Sequence, residues 1–190
     1  MFTREIPRRR AILIVPALIV GGGAIAWWLT EPPRVNAAVV TIVEFDDRGR
    51  RKGAVRRQQI VLSDSAWRDR LTSQQFWATR HGTTDTPFTG TLYLSRASGF
   101  SRCVCCGNAL FSSATEFDSG TGWPAYSAPM ADENVWTRND SSFSMQRIEV
   151  LCRLCDAHLG HVFDDGPSPG GLRYCINESA LRFVAARDTK

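Results

Sequence analysis

Four of the six cysteines in this 190-residue chain stand in two CxxC pairs, Cys103–Cys106 and Cys152–Cys155. A CxxC turn brings two thiolates to one ion, and two such turns complete a tetrahedral zinc site with Zn–S distances of about 2.3 Å. We therefore expect a structural Zn²⁺ bound by these four side chains. Two alternatives stay open, namely disulfide pairing in an oxidising compartment and the use of His158 as a ligand.

The two remaining cysteines are Cys105, inside the first pair, and Cys175, two residues after Arg173. Cys175 also follows His158 and His161 along the chain. A cationic neighbour lowers the pKa of a thiol, so one interpretation of Cys175 is a thiolate nucleophile. The other is an ordinary core position, because free cysteine is among the most buried residue types.

Short β-prone segments must position these residues. The sequence predicts a hairpin of strands 39–45 and 55–62, joined by a polar turn. Ser63 is expected to cap a short helix from Ala66, and a second short helical turn should open at Ser73. Further strands are predicted at 91–94, 108–111, 142–151, 161–163, 172–177 and 181–185. The expected fold class is mainly β with small N-terminal helices, in one domain of residues 38–190.

The N-terminal segment has the features of a membrane-directed sequence. Residues 11–30 carry no charge and are about as long as a helix that spans a ~30 Å hydrocarbon core. Arginines precede this run and tryptophans close it, which places the following residues outside the cytoplasm. We expect residues 1–37 to be a membrane anchor or a signal segment cleaved near Ala37, exported by the general or the twin-arginine route. The catalytic body would then lie on the periplasmic side.

Composition and charge exclude other classes of protein. The chain is 43% hydrophobic and 22% charged, which is typical of a folded protein and excludes a disordered chain or a fibre. The formal net charge is +4, and residues 1–34 hold most of it, with five arginines against two glutamates. The rest of the chain is close to neutral, so we expect no nucleic-acid partner.

Six motifs occur in order within residues 59–186. They are GTTDTPFTG at 82–90, CxxCG at 103–107, SGTGWP at 119–124, CRLCDAHLGHVF at 152–163, DGP at 165–167 and GLRYCIN at 171–177. Together they resemble the B-type peptide-methionine (R)-S-oxide reductases. The resemblance implies two antiparallel β-sheets, a structural zinc away from the active site, and repair of oxidised proteins by reduction of the R epimer of methionine sulfoxide.

The resemblance also implies roles for seven residues by motif position. The catalytic residues would be Cys175, His158 and His161, and the substrate-binding residues would be Trp123, Asn177, Arg173 and Asp165. In this chemistry a thiolate attacks a sulfoxide sulfur whose oxygen receives a proton or a strong hydrogen bond, and a cysteine sulfenic acid remains. An aromatic wall that holds the S-methyl group selects the epimer. From the residues alone, a purely structural role stays open for each of these seven residues. For Cys175 that role is an ordinary core position.

One position departs from the family's pattern. Many members have a resolving cysteine between the glycines of the Gly-x-Gly-Trp-Pro motif, where this chain has Thr121. Cys105 is the spare thiol, but it lies between two predicted zinc ligands. We therefore expect an external thiol or a thioredoxin-like donor to reduce the sulfenic acid at Cys175. Two other functions are compatible with the sequence: a membrane-tethered zinc module that binds a partner, with Cys175 merely buried, and general thiol–disulfide exchange through the CxxC pairs.

Overall fold

The computed structural model describes residues 37–92, 97–142 and 145–186. The predicted hydrophobic helix at 11–30, and nearly all of the predicted anchor or signal segment 1–37, lie outside these residues. Within the described ranges, no helix combines the length and the apolar character needed to cross a membrane.

The described residues form eleven strands and two α-helices. The strands are β1 (Val39–Phe45), β2 (Arg51–Gln58), β3 (Gly99–Cys103), β4 (Ala109–Ser112), β5 (Glu116–Phe117), β6 (Ala125–Tyr126), β7 (Val135–Asp140), β8 (Arg147–Cys152), β9 (His158–Phe163), β10 (Arg173–Ile176) and β11 (Leu181–Ala185). The helices are α1 (Asp64–Arg68) and α2 (Ser73–His81). Short 3₁₀ turns occupy Ser113–Thr115, Asp132–Asn134 and Glu178–Ala180. The mainly β class is confirmed.

The strands build three antiparallel sheets. A six-stranded sheet has the order β5-β6-β10-β9-β8-β7, a three-stranded sheet has the order β11-β3-β4, and β1 pairs with β2. The described residues therefore form three sheets, where the resemblance implied two. The two strands of the hairpin pair only with each other and so form a separate sheet. Asn134 binds the main chain of Val43 on β1: its Nδ2 donates to the carbonyl oxygen at 2.9 Å, and its Oδ1 accepts the N–H at 2.7 Å.

The helices form where the capping residues predict them. The Oγ of Ser63 accepts a hydrogen bond from the backbone N–H of Ala66 at the start of α1. Thr72 and Gln75 form a reciprocal capping box on α2, which ends at Gly82 in the left-handed conformation. The predicted strand at 91–94 does not form at Thr91 or Leu92, because a carboxylate of Glu178 binds their backbone N–H groups instead of a strand.

The main core lies between the six-stranded sheet, the three-stranded sheet and the helices. Its largest fully buried side chains include Trp67 of α1, Phe76 of α2 and Phe111 of β4. The rings of Phe111 and Tyr126 stack with centroids 4.7 Å apart and so join β4 to β6. This packing fixes β10 as an inner strand, with β6 on one side and β9 on the other.

Candidate active site and metal centre

The four paired cysteines meet in one cluster. Cys103 and Cys106 flank the turn between β3 and β4, and Cys152 and Cys155 flank the turn between β8 and β9. Their sulfur atoms all lie within 4.8 Å of one another, with Cys103–Cys155 at 3.7 Å and Cys106–Cys152 at 3.5 Å. The edge of a zinc–sulfur tetrahedron with 2.3 Å bonds is about 3.8 Å long, so this donor set fits a tetrahedral metal ion.

The two turns have matching backbone geometry. The N–H of Gly107 donates to the carbonyl of Cys103, and the N–H of Asp156 donates to the carbonyl of Cys152, both at 2.9 Å. Gly107 and Asp156 both adopt positive φ, at 76° and 53°. The side-chain amide of Asn108 lies 3.6 Å from the sulfur of Cys152. Each turn therefore presents its two sulfurs in the same way.

The alternatives for the cysteines are not adopted. None of the six cysteines forms a disulfide, and the closest sulfurs in the cluster lie 3.5 Å apart, well beyond the ~2.05 Å of a disulfide bond. His158 points elsewhere, since its Nδ1 lies 2.7 Å from Oε1 of Glu149. The thiol of Cys105 is buried and donates to Oγ1 of Thr79 at 3.3 Å.

A second site surrounds Cys175. A cavity of about 130 Å³ is lined by Thr84, Trp123, Arg147, Gly160, His161, Phe163, Cys175, Ile176 and Asn177. Four of the seven residues named from the sequence therefore meet in one cavity, namely Cys175, His161, Trp123 and Asn177. The other three, His158, Arg173 and Asp165, lie outside its lining.

The thiol of Cys175 is partly buried, and burial raises its pKa above the ordinary value. A hydrogen bond with Thr121 and the positive charge of Arg173 act in the opposite direction but do not outweigh it. The expected fall in the pKa of Cys175 is therefore wrong in direction. The sequence shows the nearby arginine but not the extent of desolvation, which has the larger effect.

Each histidine is held by a carboxylate. Oδ2 of Asp140 lies 2.8 Å from Nε2 of His161, and its pKa is held well below the usual range by hydrogen bonds from Ser142 and His161. The imidazole Nε2–H of His161 thus donates to a carboxylate, which leaves Nδ1 for a ligand. The ring of His158 packs against that of His161, with the two centroids 5.4 Å apart. Burial lowers the pKa of His158.

A loop before β3 fixes the orientation of Trp123 and Asn177. The backbone carbonyl of Asp85 accepts the indole N–H of Trp123 at 2.8 Å, and its backbone N–H donates to Oδ1 of Asn177 at 2.9 Å. The carboxylate of Asp85 in turn accepts the N–H and the hydroxyl of Ser179, each at 2.8 Å. Sequence reasoning missed Asp85 as a site residue, although it lies within the GTTDTPFTG motif that could have indicated it.

Arg173 and Asp165 form a bidentate ion pair beside the cavity. Nε and Nη2 of Arg173 donate to the two carboxylate oxygens of Asp165, both at 2.8 Å, and the guanidinium lies 4.3 Å from the ring centroid of Phe163. This pair places a cation close to Cys175 without lining the cavity.

Arg147 is a second residue that sequence reasoning missed. It lines the cavity, and its Nη2 lies 2.8 Å from Oδ2 of Asp140. Its Nε is buried and has no hydrogen-bond partner among the described residues. Arg147 therefore shares the cavity with Cys175, and no motif in the sequence marks it.

Two comparisons with known proteins identify the family of this chain. The SelR domain family matches residues 71–185. A peptide methionine sulfoxide reductase MsrB from Hahella chejuensis is 52% identical over 128 residues, which cover 67% of this chain and 92% of that protein. The chain belongs to the B-type peptide methionine sulfoxide reductase family. The resemblance identified from the motifs is confirmed, and the chain is an enzyme of that family.

Other members of the reductase family are similar over the same region. The MsrB of Herminiimonas arsenicoxydans is 46% identical over 131 residues, 69% of this chain and 96% of that protein. The chloroplastic peptide methionine sulfoxide reductase B1 of Oryza sativa subsp. japonica is 53% identical over 122 residues, 64% of this chain and 56% of that protein. The hairpin β1–β2 precedes the residues that match the family.

Proposed function

We propose that this chain reduces the R epimer of methionine sulfoxide in oxidised proteins and peptides, and so repairs them. Membership in the family supports methionine sulfoxide reduction. The observation that carries the proposal to specific residues is the small cavity in which Cys175 meets Trp123, His161 and Asn177. A thiol, an aromatic wall and polar hydrogen-bonding groups are the parts that sulfoxide reduction requires.

Cys175 is the nucleophile in this proposal. Because burial raises its pKa, the thiol loses its proton as the substrate reacts rather than before it binds. The sulfur then attacks the sulfoxide sulfur, and the substrate's oxygen is transferred to Cys175. The products are methionine and a cysteine sulfenic acid, so the cysteine is oxidised by the two electrons that reduce the sulfoxide.

His161 in its protonated form supplies the hydrogen bond or proton that the sulfoxide oxygen needs, because Nε2–H donates to Asp140 and only the imidazolium carries a second proton, on Nδ1. It lines the cavity, and Asp140 holds its ring through Nε2. His158 acts through His161 as a positioning residue, because its ring packs against that of His161 and its Nδ1 is held by Glu149. The ion pair of Arg173 with Asp165 keeps a positive charge near the developing thiolate.

Trp123 and Asn177 determine the choice of epimer. The indole contacts the S-methyl group, while Asn177 and His161 face the oxygen. The methyl group and the oxygen exchange places in the S epimer, so its oxygen would meet the apolar ring and stay without a partner.

The cysteine cluster holds a structural Zn²⁺ in this proposal. Cys103, Cys106, Cys152 and Cys155 would bind the ion as thiolates, and the ion would stabilise the fold by joining the two turns. Every step of the reaction takes place in the separate cavity around Cys175.

The recycling donor is an external thiol or a thioredoxin-like protein. Thr121 occupies the position of the resolving cysteine found in many relatives and contacts Cys175, while Cys105 is buried against Thr79. A sulfenic acid reacts with one donor thiol to form a mixed disulfide and water, and a second donor thiol releases Cys175. We further propose that residues 1–37 tether the enzyme to the membrane or direct its export, which places it on the periplasmic side.

The test uses separate R and S epimers of a methionine sulfoxide peptide with a dithiol as reductant. The wild-type protein should reduce the R epimer alone, and Cys175→Ser should abolish the reaction. Cys105→Ser is the matched control and should keep the wild-type rate. Reduction of the S epimer, or activity that survives in Cys175→Ser, would contradict the proposal. Chiral chromatography of the peptides measures each outcome.

A further inference from the structure

A larger cleft adjoins the cavity of Cys175. Its volume is about 400 Å³, within the usual range of ligand sites. Trp123 is the one residue that lines both the cleft and the cavity in the described part of the chain. At two places, one residue lines the cavity and the next residue lines the cleft. Thr84 lines the cavity and Asp85 lines the cleft, and likewise Asn177 lines the cavity and Glu178 lines the cleft. The wall between the two is therefore one residue thick.

The cleft has an acidic and partly apolar lining. Asp85 and Glu178 contribute two carboxylates, and among the described residues that line the cleft there is no lysine, arginine or histidine. Both carboxylates are held in place, because Asp85 accepts hydrogen bonds from Ser179 and Glu178 accepts them from the main chain at Thr91 and Leu92.

Apolar side chains complete the cleft next to these carboxylates. Leu181 and Phe183 of β11 contribute to its lining, together with Leu92. Lysine and arginine side chains combine an aliphatic stem with a charged end group, and such a surface fits both parts. An acidic side chain would meet two fixed negative charges there and would be disfavoured.

We propose that this cleft binds the polypeptide that flanks the oxidised methionine, and that it favours basic over acidic flanking residues. The proposal rests on the proposed function, because it places the sulfoxide side chain against Cys175. An extended chain advances about 3.3–3.6 Å per residue, so the residues beside the sulfoxide cross the one-residue wall at Trp123 and enter the cleft. The cleft is thus a specificity subsite for protein substrates.

The first experiment compares three peptides of equal length that contain methionine (R)-sulfoxide flanked on both sides by lysine, glutamine or glutamate. We expect kcat/KM to fall in that order, mainly through KM, by about two- to five-fold per step at low ionic strength. The differences should shrink at high salt because the charges lie at an open surface. Equal kcat/KM for all three peptides would overturn the subsite and leave the proposed function intact.

A second experiment changes the charge of the cleft at Thr86, an exposed residue in its lining. Thr86→Lys should weaken the preference for the lysine-flanked peptide, Thr86→Glu should strengthen it, and Thr86→Gln should leave it unchanged. Thr41→Lys, an equal change at an exposed position of β1, is the control and should keep the wild-type ratio of kcat/KM between the lysine and glutamate peptides. The same ratio in Thr86→Lys, Thr86→Glu and the wild type would overturn the subsite. Loss of turnover with every peptide in the wild-type protein would contradict the proposed function itself.

Discussion

Cys175 lies next to a cation and yet is a protonated thiol at neutral pH, because its burial outweighs the effect of Arg173. A resting thiol reacts slowly with oxidants and alkylating agents, since the thiolate is the reactive form. In the proposed reaction the thiolate would then form only when the substrate's oxygen can take up a proton. This property would not be expected from the sequence Arg-Tyr-Cys alone.

The raised pKa of Cys175 predicts how its alkylation depends on pH. The rate with iodoacetamide should rise about tenfold per pH unit from pH 6 to about pH 9, because the thiolate fraction rises by that factor below the pKa, whereas the rate of an unshifted thiol levels off near pH 8.5–9. Peptide mass spectrometry of the alkylated protein measures the rate at Cys175 separately from the other cysteines. A rate that levels off at or below about pH 9 would contradict the direction of the shift.

The hydroxyl of Thr121 should contribute to the same pKa. Its hydrogen bond lowers the pKa of Cys175, so Thr121→Val should raise that pKa and slow alkylation at pH 7 by about threefold or more. Thr121→Ser keeps the hydroxyl and serves as the control. Equal alkylation rates for the valine and serine variants would show that the hydroxyl has no effect on the thiol.

The loop that contains Asp85 is the element that orients the site. It binds the indole of Trp123 and the amide of Asn177 through its main chain, and its own carboxylate fixes it to Ser179. The residues that contact the substrate in our proposal are thus held by a residue that does not line the cavity.

We expect Asp85→Ala to lower kcat/KM by about tenfold, because it removes charge-assisted hydrogen bonds with a net value of about 1.5–3 kcal/mol. The loss should appear mainly in kcat, since misplaced Trp123 and Asn177 fail to hold the transition state. Asp85→Asn should recover part of the rate, because its amide oxygen can still accept one of the hydrogen bonds. Asp69→Ala, at an exposed aspartate after α1, is the control. A fall in thermal stability without a change in kcat would assign Asp85 a purely structural role.

The elements that the sequence could predict are those with local signals. The spacing of the CxxC pairs predicts the cluster, α1 begins next to the predicted cap Ser63, and α2 begins at Ser73 as predicted. The strand at 181–185 matches β11 residue for residue. Its β-prone residues, such as Phe183 and Val184, are a local signal, as are helix caps and metal-binding turns.

Other features depend on contacts between distant parts of the chain. Strands β3 and β7 were missed because GFSRC and VWTRND mix polar and apolar residues without a clear period. β2 begins at Arg51, inside the predicted turn, because its charged side chains face solvent on a hairpin that forms its own sheet. Asp85 lies in a motif that could have indicated it, but its role depends on Trp123 and Asn177, which are distant in the sequence. The place of Arg147 in the cavity depends on the pairing of β8 with β9, and no motif marks it.

The cysteine cluster connects the two main sheets of the molecule. One turn ends β3 of the three-stranded sheet, and the other ends β8 of the six-stranded sheet. A metal ion bound by both turns therefore links parts of the chain that are otherwise joined by the core. Loss of the ion should affect the stability of the whole molecule more than the geometry around Cys175.

Two neighbouring cysteines provide a matched test of the metal centre. Cys106→Ser should lower the zinc content below one ion per chain and lower the midpoint of thermal unfolding by about 10 °C, since a structural zinc contributes several kcal/mol to folding. Cys105→Ser should keep both the zinc and the midpoint close to wild type. Elemental analysis and calorimetry give the two values. Full zinc content in Cys106→Ser would contradict the proposed ligand set.

Glu116 on β5 makes the stability of the molecule depend on pH. Burial, with a further contribution from Glu178, raises its pKa to about 7. An acid whose pKa is raised by folding contributes stability at pH values below its pKa in the unfolded chain. This contribution is lost as the pH rises from about 4.5 to about 7. Glu116→Gln removes the charge that is costly above pH 7.

The expected result is that Glu116→Gln raises the free energy of unfolding by about 1 kcal/mol more at pH 8 than at pH 5, after allowance for screening by solvent. Urea unfolding of the variant and the wild type at both pH values measures this difference. Glu133→Gln, at an exposed glutamate, is the control. An effect of Glu116→Gln that is the same at both pH values would contradict the raised pKa.

The inner position of β10 has a kinetic consequence. Because β6 and β9 hold the strand on both sides, the sulfur of Cys175 cannot turn to another face of the sheet, and the cavity of about 130 Å³ is too small for a peptide side chain and a donor thiol together. In the proposed reaction the reduced product, methionine, must leave before the electron donor can enter. We therefore expect ping-pong kinetics, with parallel double-reciprocal plots, and competitive inhibition of each half-reaction by an excess of the other reactant.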